Sequence, residues 1–97
     1  MSLEDLQQKL AMKARTSPPL GKTVKFDLGA DGALRIEGQT VLVDAGAPAD
    51  TTITMTRVNF EKLLAGDLDP TLAFMTGKLK VAGDMGVAMK LSSLLED

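Results

Sequence analysis

The chain has no cysteine, no histidine, no tyrosine and no tryptophan, and its only aromatic residues are three phenylalanines among 97 positions. Without histidine it lacks the side chain whose unperturbed pKa best suits proton transfer near neutrality. Without cysteine there is no thiolate nucleophile and no disulfide framework, and zinc is offered neither of its usual nitrogen and sulfur ligands. No stretch approaches the ~18 continuous apolar residues of a bilayer-crossing helix. The small-residue turns GADG, AGAPAD and VAGDMG match neither the P-loop nor the dinucleotide fingerprint.

An excess of one charge is missing too. Eleven Lys and Arg against thirteen Asp and Glu give a formal charge of -2, with both signs interspersed. Nucleic acid is therefore a poor partner, because neutralising phosphates needs a basic patch. The basic concentration Lys9, Lys13 and Arg15 falls in the last turns of an expected helix, where it compensates the dipole. Asp67 and Asp69 could form a carboxylate pair, but helix capping accounts for Asp69, and Asp44 and Asp50 stand at strand ends without the spacing of a metal loop. The expectation is a protein with no catalytic residues, no metal and no cofactor, and so not an enzyme. The opening MSLEDLQQKL has acids and no basic lead before an apolar run, unlike a secretory signal, and the closing LLED is not a peroxisomal tripeptide. A cytoplasmic location is expected.

What the chain does have is hydrocarbon. Apolar residues make up 44% of it, six of them methionine, and thioether side chains fill irregular space with little penalty. This length suits one domain with one modest core, residues 1–97. Ser2 and Asp5 form a capping box for a helix carrying Leu3, Leu6, Leu10 and Ala14, which Pro18 and Pro19 stop. Lys22 to Leu28 alternates as a half-buried strand, with Val24, Phe26 and Leu28 on one face. After the turn Gly29 to Gly32, Leu34 and Ile36 continue that face on a second strand, and Val41 and Val43 make a third beyond Gly38-Gln39. DAGAPAD, Asp44 to Asp50, reads as a surface loop leading into Thr51 to Met55, where Ile53 and Met55 face one way.

The segment Phe60 to Leu91, FEKLLAGDLDPTLAFMTGKLKVAGDMGVAMKL, holds three short helices and a strand with almost no polar chemistry between them. Thr56 caps the first helix and Gly66 closes it; Asp69 and Pro70 open the second and Gly77 ends it; Lys78 to Ala82 is a strand, and Asp84 caps the last helix. The order predicts an α+β fold: a five-stranded, mainly antiparallel sheet with helices covering one face. On pattern alone, Met55, Met75, Met85 and Met89 are ordinary core.

This segment and the upstream TITM, Thr52 to Met55, resemble the sterol carrier protein family, in which an acidic-proline turn leads into a helix, a strand of the type GKLKVAGD and a closing helix. The resemblance covers roughly residues 22 to 95. It implies a hydrophobic tunnel between sheet and helices that carries sterols, fatty acids or acyl-CoA without a covalent step. The matching ligand-binding positions are Phe60, Leu64, Leu72, Phe74, Met75, Leu79, Val81, Met85, Met89 and Leu91. The expected partner is a hydrophobic small molecule or lipid, with transient membrane contact. The alternative is a small interaction domain whose last helix meets a protein partner or a second copy through Met85, Ala88, Met89 and Ser92, spaced at i, i+3, i+4 and i+7.

Overall fold

The computed structural model describes residues 2–16 and 21–95. Helix α1 (Leu3–Arg15) starts from the expected capping box, Ser2 and Asp5 each accepting from the other's backbone amide, and ends on Lys13, Arg15 and Thr16. The proline pair Pro18-Pro19 lies outside the described residues. Strands β1 (Val24–Asp27), β2 (Ala33–Glu37), β3 (Thr40–Val43) and β4 (Thr51–Met55) follow, with a 3-10 turn at Gly29–Asp31. Then come α2 (Arg57–Ala65), α3 (Pro70–Met75), β5 (Leu79–Gly83) and α4 (Met85–Leu95).

The five strands form one sheet in the order β3-β2-β1-β4-β5. The hairpins β1-β2 and β2-β3 and the β4-β5 pair are antiparallel, while β1 and β4 run parallel, Val24 facing Thr51 and Phe26 facing Ile53. The parallel pair arises because the chain leaves β1 through the β2-β3 hairpin and returns on the other side of β1. Regular pairing is tighter than the alternation pattern: Lys22 and Leu28 fall outside β1, and the last strand is shifted by one residue, from Lys78–Ala82 to Leu79–Gly83.

One face of the sheet builds the core. Val24, Phe26, Leu34, Ile36, Val41, Ile53, Met55 and Leu79 join Leu6 and Leu10 of α1, Phe60 and Leu63 of α2, Ala73 of α3 and Leu91 and Leu94 of α4 in a single cluster. At its centre the rings of Phe26 and Phe60 stand 5.1 Å apart at 36°, a tilted arrangement favourable for aromatic pairs. Gln7 ties α1 to the edge strand by donating from Nε2 to the Val41 carbonyl at 2.9 Å. Val43, by contrast, is exposed, so the edge strand buries one residue only.

Two buried polar residues have no signature in the apolar pattern. Thr51 is sealed between β1 and β5, and its hydroxyl donates to the Asp84 carbonyl at 3.0 Å. Arg35 sits on the far face of β2, yet it is 7% exposed because the loop from Asp44 to Asp50 folds over it. Its guanidinium donates to Asp44 Oδ1 at 2.9 Å and to the carbonyls of Ala47 and Pro48 at 3.2 and 3.0 Å, and its Nε lies 2.9 Å from Glu37. Asp44, whose side chain is 3% exposed, also meets Lys25 at 3.3 Å. A buried charge persists only when paired, so this cluster pins the loop to the sheet.

The Gly46 amide, with the Lys25 and Arg35 side chains, holds the Asp44 carboxyl below its ordinary range against the opposing effect of burial. A carboxyl depressed in the folded state contributes stability that is complete above its unfolded pKa of about 3.9 and is lost as pH falls through the lower folded value. Asp44→Asn is therefore expected to lower stability at neutral pH and to flatten the acid limb below about pH 4 in urea titrations. An acid limb as steep as the parent's would contradict this account of the loop.

Gly83 ends β5 at φ +109°, and a Cβ there would collide with the Asp50 carbonyl oxygen and stand 3.0 Å from Thr51 Cα. Gly83→Ala is expected to cost well over about 1 kcal/mol, since both the dihedral and the space are wrong. Urea unfolding within a few tenths of the parent would show that the β4-β5 end can relax.

Candidate functional site

The inward rows of β4 and β5 supply a floor of Ile53, Met55, Leu79 and Val81. Two helices stand over it. Helix α3 is held at its start by Asp69, whose carboxylate accepts from the Thr71 and Leu72 amides at 2.8 and 3.4 Å, with Pro70 pre-set in the first turn. It has only six residues and buries two of them, Pro70 and Ala73. Helix α4 is longer and divides its faces: Val87, Leu91, Leu94 and Leu95 go into the core, while Met85, Ala88, Met89 and Ser92 turn toward α3.

A cavity of about 350 Å³ remains between these walls. Its size falls within the range of small-molecule pockets. Among the described residues no charged one lines it, and Thr71 and Ser92 are its polar side chains. Phe74, Met85 and Met89, between 45% and 73% exposed, form its open rim.

Position of the α4 wall is set by polar contacts outside the cavity. Asp84 Oδ1 accepts from the Gly86 and Val87 amides at 2.8 and 3.4 Å, while Oδ2 pairs with Lys22 Nζ at 2.8 Å. The Lys22 ammonium, then the Gly86 and Val87 amides, lowers the Asp84 carboxyl's pKa, and Asp84 in turn raises that of Lys22. Such a helix start is a built cap, and among the described residues no three His, Cys, Asp or Glu side chains converge to hold a metal ion. The arrangement can exclude water from a hydrocarbon chain.

Of the ten positions expected to meet a ligand, Phe74, Leu79, Val81, Met85, Met89 and Leu91 line this cavity. Phe60 and Leu64 are packed into the core under α2, and Leu72 and Met75 point from α3 into solvent. The difference is one of helix phase. In a six-residue helix the side toward the sheet passes through Pro70 and Ala73, leaving Leu72 and Met75 on the opposite side. Ile53, Met55, Pro70, Thr71, Ala88, Ser92 and Leu95 also line the cavity and were not expected. Ile53 and Met55 were detectable, because their alternation shares the face that β5 continues, and the row Met85, Ala88, Met89 and Ser92 was legible as one helical face.

The model of the SCP-2 sterol transfer family matches residues 2–96. The chain belongs to that family. It is 51% identical over 55 residues to Sterol carrier protein 2 of Rattus norvegicus, an alignment covering 57% of this chain and 10% of the rat protein. It is 49% identical over 77 residues to Hydroxysteroid dehydrogenase-like protein 2 of Homo sapiens, covering 72% of this chain and 18% of that protein. The chain thus spans about a tenth to a fifth of the length of these relatives. Its fold is similar to the solution NMR structure of palmitated SCP2L2 from Aedes aegypti, with a TM-score of 0.77 at 20% identity over 100% of this chain and 96% of that one. The family is one of lipid-transfer domains, and no described helix is long and apolar enough to cross a membrane.

Two residues on α4 separate rim from core. Met89→Lys is expected to leave urea stability within about 0.5 kcal/mol of the parent, as for a surface site, while weakening displacement of a fluorescent fatty acid. Leu91→Ala is expected to cost about 2 to 5 kcal/mol, because Leu91 is buried as well as facing the cavity. Equal destabilisation by the two changes would mean that Met89 is packed as core.

Proposed function

We propose that this chain is a non-enzymatic carrier that holds one hydrophobic ligand, a fatty acid, acyl-CoA or sterol-like lipid, in the cavity between the sheet and α3 and α4. The observation that carries this function is the lining: thirteen described residues of which none is charged, opening at a rim of Phe74, Met85 and Met89. Phe74, Leu79, Val81, Met85, Met89 and Leu91 contact the ligand's hydrocarbon, with Phe60 and Leu64 supporting the wall from within the core. Palmitate in the structurally similar mosquito protein supports a single acyl chain as a ligand. The described residues act as one lipid-binding unit, and the cysteine-free composition suits a reducing, cytoplasmic setting.

Binding energy then comes from chain length. Each methylene moved from water to the cavity contributes about 0.8 kcal/mol, so two more carbons should tighten binding by roughly fifteenfold. Because the cavity is finite, the gain should level off once the chain outgrows it. Displacement titrations with saturated fatty acids of increasing length test this, and native mass spectrometry with lipid extraction identifies what co-purifies. Failure to take up any fatty acid, acyl-CoA or sterol over a broad panel would overturn the carrier function.

The exposed Leu72 and Met75 on the outer side of α3 favour a second use of the same region, association with a membrane or a second copy while the ligand is exchanged. Sedimentation over a hundredfold concentration range detects the dimer, and flotation with vesicles detects the membrane contact.

A further inference from the structure

Cysteine and methionine are the sulfur side chains on the biological oxidation ladder, and this chain has six Met and no Cys. The methionines are unevenly placed. Met85 and Met89, one helical turn apart on α4, line the cavity while being 48% and 73% exposed. Met55 lies on the floor and is buried, whereas Met12 and Met75 are as exposed as the rim pair but lie away from the cavity. The same two thioethers are thus open to a dissolved oxidant and part of the apolar wall.

We infer that Met85 and Met89 are a modification site at which a hydroperoxide switches the cavity from holding an apolar ligand to releasing it. This inference rests on the carrier function proposed above. In the reaction the thioether sulfur attacks the terminal peroxide oxygen. The O–O bond breaks as the S–O bond forms, and the departing oxygen takes the proton. Sulfur is oxidised to the sulfoxide; hydrogen peroxide is reduced to water, or an organic hydroperoxide to its alcohol. The product is a polar, chiral group where the wall had been apolar, and a polar group facing hydrocarbon without a hydrogen-bond partner is unfavourable. Water can still solvate the sulfoxides when the cavity is empty, because both side chains stand at the rim. Oxidation therefore disfavours the liganded state more than the fold. Recovery requires reduction of the sulfoxide, which methionine sulfoxide reductases perform on each epimer.

The test uses the full chain, treated with hydrogen peroxide to a degree followed by intact mass and peptide mapping, then assayed by fluorescent fatty acid displacement and urea unfolding. Sulfoxide at Met85 and Met89 is expected to weaken binding by on the order of tenfold or more, with little change in unfolding midpoint and recovery on treatment with the two reductases. The double variant Met85→Leu/Met89→Leu keeps apolar volume at both positions; whatever its affinity before peroxide, measured first, it is expected to lose no further affinity on the same treatment. Met12→Leu/Met75→Leu, a control outside the cavity, is expected to lose it as the parent does. Unchanged binding with Met85 and Met89 fully converted, or equal loss in Met85→Leu/Met89→Leu, would overturn the inference while leaving the carrier function intact. Absence of binding before any peroxide is added would instead overturn the carrier function itself.

Discussion

The close approach of Gly83 to the Asp50 carbonyl is the constraint around which the C-terminal half is arranged. Because no side chain intervenes, β5 can run the full length of β4 and the chain can turn at once into α4. Three polar ties converge at that corner: the Asp84 amide donates to the Asp50 carbonyl at 3.3 Å, Thr51 donates to the Asp84 carbonyl, and Asp50 accepts from the Thr23 amide at 2.9 Å. The loop that presents Asp50 is itself pinned across the outer face of the sheet by Arg35 and Asp44. An electrostatic cluster on one face thus helps fix the helix that forms the cavity wall on the other.

The cavity is a consequence of incomplete cover. Helix α1 lies along β3, and α2 carries Phe60 against Phe26, so both helices bury apolar side chains against that half of the sheet. Over β4 and β5 the cover is a six-residue α3 and the split-faced α4, which cannot interdigitate across the whole width. Phe74 is the lone aromatic near this gap, and most of the other lining side chains are slender aliphatics or flexible thioethers. A lining that, among the described residues, is apolar apart from Thr71 and Ser92 is favourable for hydrocarbon and poor at holding water. Chemistry and exposure then separate the roles of neighbouring residues on one helix, with Leu91 joining core and cavity and Met89 joining cavity and solvent.

Much of the architecture was legible before the structure. The caps at Ser2, Thr56, Asp69 and Asp84, the left-handed stop at Gly66 and the strand between Gly77 and Asp84 are local chemistry, settled by residues adjacent in the chain. Alternation in Val24, Phe26, Leu34, Ile36, Ile53 and Met55 marked the inner face of the sheet, because a strand's side chains must alternate whatever it pairs with. The family resemblance was carried by the same C-terminal segment, whose short helices and GKLKVAGD strand bound the cavity.

Sequence by itself determined which segments are helix or strand, which face of each is apolar, and that no acid-base, thiol or metal chemistry of the common kinds is encoded in histidine or cysteine. Tertiary structure decided the parallel pairing of β1 with β4, the burial of Arg35 beneath its loop, and which apolar residues face a cavity rather than the core or solvent. Hydrophobicity is a scalar with no direction: Leu64, Leu72 and Leu79 are the same residue in composition, yet one is core, one is surface and one is cavity floor. The phase of a short helix against a sheet separates them, and that phase depends on contacts between segments far apart in the chain.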